Sequence, residues 1–268
     1  GSLNLFPKLI DFNYFTIHSY GFLLALGFLV GLLVAARAAT KENIDKTLVY
    51  DLGIYLTIAA LVGSKLLFLI TDLNYYIDHP TEIFSLTTLR SGGVYYGGLA
   101  LATLTGIWIT SKKNLPVWKV TDFCAPGIAL GQSIGRLGCF AAGCCYGNPT
   151  SQPWGVIFQS KYSQEFVGVP LGISVHPTQL YQAVANFLIF GLLWIGLKKK
   201  RFDGQIFILY LFCYSVARFL IEFLRGDTAR GFVFDGILST SQLISLLLLP
   251  IIVVLYSKLR QNNRIKSV

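Results

Sequence analysis

Four charged side chains sit inside otherwise apolar stretches of this sequence: Lys65, Arg136, Arg218 and Glu222. On insertion scales a charge in a membrane-spanning segment costs about 2.5–3.5 kcal/mol, so such residues face the protein interior and mark function by default. Tyr214, Arg218, Glu222 and Arg225 follow one another at helical spacings of four, four and three, which puts them on one helix face. That face supports two readings. Arg218 and Glu222 form an internal ion pair that ties helices together, or the surplus of cations (Arg218, Arg136 and Lys65 against Glu222) holds an anion. In the outer half of a bilayer the abundant anion is a phospholipid phosphate, and the planar guanidinium fork suits it.

Glycine surrounds these charges. Gly92, Gly93, Gly97 and Gly98 flank Tyr95 and Tyr96, and Gly135, Gly138, Gly143 and Gly147 surround and follow Arg136. Small residues let helices approach closely, and beside a buried arginine they also let backbone N–H groups reach a ligand. His176-Pro177-Thr178-Gln179-Leu180-Tyr181 reads as a helix start, with Pro near the first turn and Tyr181 suited to an interfacial aromatic belt. The five cysteines contain no Cys-x-x-Cys pair, so zinc-ribbon spacing is absent. Cys139, Cys144 and Cys145 cluster at one helix end, as packing residues, as a disulfide facing an oxidising exterior, or as soft-metal ligands or covalent groups. No metal or other cofactor is expected on the leading reading.

The elements that position these residues follow from composition. The 268-residue chain is 54% hydrophobic and 13% charged, about half the charge of a soluble domain. Its mean hydropathy is +0.60. Apolar segments run over 19–37, 48–71, 92–111, 119–143, 178–197, 204–224 and 237–257, each about 20 residues and long enough to span. The fourth is the least apolar, with Asp122, Gln132 and Arg136. The expected fold is an all-α polytopic membrane protein of about seven transmembrane helices, a single domain over 1–268. A small external cap is inserted at 144–177, and Val156-Ile157-Phe158 reads there as a short strand. The first apolar run has no basic stretch before it, so no cleavable leader is expected.

The net charge of +9 fits the positive-inside rule better than a nucleic-acid partner. Arg37, Lys41 and Lys46, then Lys112, Lys113 and Lys119, then Lys198 to Arg201, then Lys258, Arg260, Arg264 and Lys266 lie in alternate connections. They put the N-terminus outside and the C-terminus in the cytoplasm. Eight basic residues remain: Lys8, Lys65, Arg90, Arg136, Lys161, Arg218, Arg225 and Arg230. In that orientation Lys65, Arg136, Arg218 and Glu222 share a depth on the outer-leaflet side, Arg136 being about 25 Å along its helix.

At these residues the sequence resembles the prolipoprotein diacylglyceryl transferases, over nearly its whole length and in order. His18-Ser19-Tyr20-Gly21, Gly63-Ser64-Lys65-Leu66, Gly92 to Gly98, Gly135-Arg136 to Gly147, His176 to Tyr181 and Arg218-Phe219-Leu220-Ile221-Glu222-Phe223-Leu224-Arg225 match that family's motifs. The resemblance implies an enzyme of the bacterial inner membrane. It moves diacylglyceryl from phosphatidylglycerol to the lipobox cysteine thiol of a prolipoprotein, releasing glycerol phosphate. It implies that Arg136 and Arg218 contact the phosphate, and that Tyr20, Tyr214 and Glu222 line the cavity and orient the arginines. Gly147 allows close backbone approach. Lys65, Gly97, Gly98, His176, Gln179, Tyr181 and Arg225 complete the substrate site. Three positions depart from the family pattern. Tyr96 stands where the family has a histidine proposed to activate the thiol, and a phenol is the weaker base at neutral pH. Cys139 replaces an asparagine, and Cys144 replaces a glutamate. The competing expectations are a phospholipid-binding or transport protein without chemistry, a lipid transferase of the same family with another acceptor, and a cysteine-based redox or metal protein.

Overall fold

The computed structural model describes residues 2–3, 7–12, 15–85, 87–88, 92–227, 231–234 and 236–266. Arg90 and Arg230 lie outside them. Two compact units emerge, residues 1–38 with 121–268, and residues 39–120.

Three short strands, β1 (Ser2–Leu3), β2 (Lys8–Phe12) and β3 (Phe15–His18), precede α1 (Ser19–Lys41). Next come α2 (Lys46–Thr71), α3 (Leu73–Asp78), a 3-10 turn (Pro80–Phe84), α4 (Tyr95–Lys112) and α5 (Val117–Ala142). Then follow β4 (Val156–Phe158), α6 (Lys161–Val167), β5 (Ser174–Val175), α7 (Thr178–Gly196), α8 (Gln205–Glu222), β6 (Phe232–Val233), β7 (Leu238–Ser239) and α9 (Thr240–Lys266). Seven of the described helices have 18 residues or more, and they coincide with the seven apolar segments.

Five meet a membrane-crossing standard of length and hydropathy: Ser19–Lys41, Lys46–Thr71, Thr178–Lys199, Gln205–Glu222 and Thr240–Asn263. α4 falls short because tyrosines, threonines and glycines dilute its apolar residues; α5 falls short because it carries Lys119, Asp122, Gln132 and Arg136. Large apolar side chains such as Phe28, Leu29, Leu61, Trp108, Leu188 and Val253 project outward from these helices. A surface of that kind is stable in lipid, and the chain is a multi-pass membrane protein.

In the larger unit, α1 and α5 meet through glycine. A Cβ on Gly31 would lie 2.6 Å from the carbonyl oxygen of Gly127, and one on Gly27 would lie 2.7 Å from that of Gly131. The two backbones touch because neither helix carries a side chain there. Ala125 and Ala129 of α5 pack with Ile189 and Leu193 of α7 and with Ile206 and Tyr210 of α8. The smaller unit is built on α2 and α4, where Gly63 faces Gly97 and Ala60 faces Gly98. Gly97 and Gly98 thus serve helix packing within their own unit.

The 144–177 segment is a small α/β element. β4 pairs antiparallel with β5 and parallel with β1. Val156, Phe158, Val169 and Val175 form its core against Phe140, Tyr146 and Leu171. β4 is the short strand expected at Val156–Phe158; the other strands, among them the β2–β3 hairpin before α1, are the part of the fold that an all-α expectation omits.

Asp122 has a structural role. Its carboxylate, fully buried, accepts hydrogen bonds from the backbone N–H groups of Gly204 (2.8 Å), Ile206 (2.9 Å) and Phe207 (2.9 Å), with Lys200 Nζ at 3.7 Å. A helix start leaves such N–H groups without intrahelical partners, and here a residue from α5 satisfies those of α8. Asp122→Ala should therefore destabilise the protein by roughly 2–4 kcal/mol, several buried donors losing their partner at once. Asp122→Asn should cost less. Thermal unfolding in detergent, compared across the three proteins, checks both.

Candidate functional site

The site is assembled from three chain segments: the end of α5, the start of α7 and the end of α8 with the residues after it. They cross at Gly147. Its N–H donates to the carbonyl of His176 (2.9 Å), Asn148 N–H donates to that of Leu224 (2.8 Å), and Gly147 bridges Arg225 in antiparallel fashion. A Cβ on Gly147 would stand 2.5 Å from His176 and 2.8 Å from the Leu224 carbonyl. No other residue fits a crossing of three backbones, and the expected close approach at Gly147 is one of chain to chain.

A narrow cleft is lined by Arg136, Cys145, Thr178, Gln179, Gln182, Arg218, Ile221 and Arg225. Three guanidinium groups therefore share one small space. Glu222 answers two of them: its carboxylate lies 2.7 Å from Arg218 and 3.7 Å from Arg225. Arg218 also donates to Ser241 Oγ (2.9 Å), and Arg225 makes a two-pronged pair with Asp227. Arg136 lies within electrostatic reach of Tyr214, Cys139, Cys145 and Arg225, yet among the described residues it has no hydrogen bond or ion pair. Three cations against two carboxylates leave one positive charge uncompensated, and the geometry places it on Arg136. Isolated charges are costly to bury, so this one is suited to an anion from outside the chain.

The amides of α7 were absent from the sequence-based candidates apart from Gln179. Gln179, Gln182 and Asn186 recur at helical spacing on one face and are buried. Gln179 gives its amide N–H to the Cys144 carbonyl (2.7 Å), while its carbonyl oxygen has no partner among the described residues. Both polar atoms of Gln182 and of Asn186 are likewise unpartnered. Buried polar groups left in this way cost about 1–3 kcal/mol each, so a ligand that satisfies them gains affinity. The signal was in the sequence as three amides on one apolar helix face.

The cysteine loop is set by how α5 ends. Gly143 takes a left-handed φ of +81°, its N–H donates to Phe140 (3.1 Å), and Cys144 N–H donates to Cys139 (3.2 Å). This pair of bonds is the Schellman helix stop, which brings the residue after the glycine back over the last turn. Cys144 is thereby laid over Cys139. Cys145 then adopts a left-handed φ of +60°, unusual outside glycine and asparagine. Thr178 Oγ1 donates to the Cys145 carbonyl (2.7 Å) and fixes the loop from α7. All five cysteines are free thiols. The Cys145 thiol is pushed down by hydrogen bonding with Cys139 and Cys144, and further by the charges of Arg225 and Arg136; hydrogen bonding with Cys139 and Cys145 pushes Cys144 up.

The other expected site residues lie as follows. His176 Nδ1 meets the Tyr181 hydroxyl at 3.1 Å, and Trp154 Nε1 donates to that hydroxyl at 2.8 Å, so these two residues hold the cap against α7. Tyr214 stacks on Tyr210, which donates to Gln132 (3.0 Å). Tyr20 stands on the first turn of α1, where its backbone faces Gly138. In the smaller unit, Lys65 donates to the Thr88 carbonyl (2.7 Å), and Tyr96, half exposed, packs edge-on against Tyr95.

Residues 7–257 match the family model described as prolipoprotein diacylglyceryl transferase. The chain is 39% identical to the phosphatidylglycerol–prolipoprotein diacylglyceryl transferase of Clostridium tetani, over 90% of this chain and 92% of that protein. It is 36% identical to the protein of the same name from Finegoldia magna, over 91% of each. The Staphylococcus aureus protein of that name is 29% identical over 97% of this chain and 92% of its own.

Proposed function

The chain belongs to the prolipoprotein diacylglyceryl transferase family, and from that premise we propose that the arginine cleft is where its reaction takes place. The enzyme transfers the diacylglyceryl group of phosphatidylglycerol to the lipobox cysteine thiol of a prolipoprotein. The acceptor sulfur forms a bond to the glyceryl carbon, and the bond from that carbon to the phosphate oxygen breaks. The phosphate leaves with the headgroup glycerol, and the thiol proton is lost to a base. A phosphodiester carries one negative charge and the departing monoester two, so a cation held at the phosphate favours the transition state over the bound substrate. The observation that carries this reading is the half-buried Arg136, with no hydrogen-bond or ion-pair partner among the described residues, beside Arg218.

Glu222 keeps Arg218 and Arg225 apart and oriented. Gln179 and Gln182 offer amide groups to the hydroxyls of the headgroup. Tyr20 and Tyr214 line the cavity. His176 and Tyr181 belong to the periphery of the lipid site. The seven long helices all cross the bacterial cytoplasmic membrane, as a single domain, with the N-terminus and the 144–177 cap outside. The cleft then opens at the depth of outer-leaflet headgroups.

Purified protein given phosphatidylglycerol and a lipobox peptide should yield a thioether-linked diacylglyceryl peptide by mass spectrometry, and none with a serine peptide. Bound phospholipid without any product would instead favour a lipid-binding protein. Gln182→Leu gives a separate check. It removes two unsatisfied polar atoms, so stability should stay level or rise, while kcat/KM falls about tenfold, the worth of one neutral hydrogen bond.

A further inference from the structure

Cys139, Cys144 and Cys145 are not needed for phosphate binding, yet their sulfur atoms all lie within 4.8 Å of one another. Three features of the chain produce that convergence. The Schellman stop lays Cys144 over Cys139, the left-handed turn at Cys145 brings the next thiol to the same side, and Thr178 and Gln179 hold the two carbonyls from outside. Simple packing needs none of this, since small residues would fill the space without a strained backbone.

We propose that these three thiols form a trithiolate site for one thiophilic cation of the zinc type, with its fourth coordination position facing the arginine cleft. Tetrahedral zinc with three protein ligands and one open position is the pattern of catalytic zinc. Here Cys145 lines the cleft, so the open position is directed there. Loading the site exchanges three thiol protons for one dication and leaves a single net negative charge. The hydrogen bonds from Thr178 and Gln179 act as outer supports of the ligand loop, a requirement of precise metal sites.

The role of the site rests on the proposed transfer reaction. The acceptor cysteine enters as the fourth ligand and gives up its proton on binding. Its sulfur is then held as a metal thiolate at neutral pH, beside the phosphate that must leave. That supplies the thiol activation for which this chain has Tyr96 rather than a histidine.

The full-length protein, purified in detergent and reduced with a phosphine, is titrated with Co2+ and then with Zn2+. One cobalt per chain should bind, with sulfur-to-metal charge-transfer absorption that zinc abolishes. Cys139→Ser, Cys144→Ser and Cys145→Ser should each weaken binding on the order of 100-fold or more, while Cys124→Ser and Cys213→Ser leave it unchanged. X-ray absorption of the zinc-loaded wild type, which does not depend on variants folding, should show three sulfurs at about 2.3 Å, and four when a lipobox peptide is added.

Any of three results overturns the site: no stoichiometric metal in the reduced protein, a first shell without sulfur, or a disulfide joining Cys139 to Cys144 or Cys145 in protein isolated without reductant. A sulfur count unmoved by peptide overturns the open position. Metal binding is read without turnover, so a chain that binds zinc and transfers no lipid contradicts the reaction and leaves the metal site standing.

Discussion

Arg136→Ala should reduce kcat/KM for diacylglyceryl transfer by about 10²–10³-fold, the loss found when one preorganised charge-stabilising donor is removed. The effect should appear in kcat as well as in KM, because the charge on the phosphate grows as the carbon–oxygen bond breaks. Stability should hold or improve, since Arg136 has no partner among the described residues and its removal relieves a half-buried, uncompensated cation. Arg136→Lys should recover only part of the activity: an ammonium supplies charge but not the planar fork that meets two phosphate oxygens. Initial rates at several phosphatidylglycerol concentrations, with unfolding curves for each variant, decide the matter. A variant that loses stability and activity together would assign Arg136 a structural role instead.

Glu222→Ala should behave in the opposite way. Its carboxylate is almost wholly buried between Arg218 and Arg225. Removing one partner of a buried ion pair strands the other charge and typically costs 3–5 kcal/mol, about half the stability of an average domain. The variant should express poorly and unfold at a markedly lower temperature. Pairing it with Arg218→Met should restore much of the folding, because removing both members of the pair strands no charge. Activity should stay lost in the double variant, since Arg218 is also a proposed phosphate ligand. Recovery of activity along with folding would show that Arg218 serves only the ion pair.

These two expectations divide the readings that the sequence left open for Arg218 and Glu222. The ion pair exists, at 2.7 Å and within one helix, and a cation without a partner among the described residues remains beside it at Arg136. Charge counting along the chain could detect the surplus because cations are rare in apolar segments, but it could not say which arginine carries it. That depended on Asp227, which pairs with Arg225 from just beyond α8.

Helix positions were equally legible, since a lipid environment demands long apolar runs, and all seven segments are helical. The role of Asp122 was not. It reads as an intramembrane charge, yet it binds the start of a helix some eighty residues later, a partnership that exists only after the helices pack. Lys65 likewise read as one of the phosphate cations, and its ammonium group is hydrogen-bonded to the Thr88 carbonyl inside the smaller unit. The cysteine trio falls between these cases. The spacing of Cys139, Gly143 and Cys144 is that of a Schellman stop, which predicts that the first and last meet; the left-handed turn at Cys145 has no comparable sequence signal.

The claim on which the rest depends is that Arg136 is held without a partner in order to receive the lipid phosphate. A structure of the protein in phosphatidylglycerol nanodiscs tests it most directly. The account predicts a phospholipid phosphate between Arg136 and Arg218, with guanidinium nitrogens about 2.7–2.9 Å from phosphate oxygens. A lipid phosphate seated elsewhere, with Arg136 still lacking an anion, would contradict it.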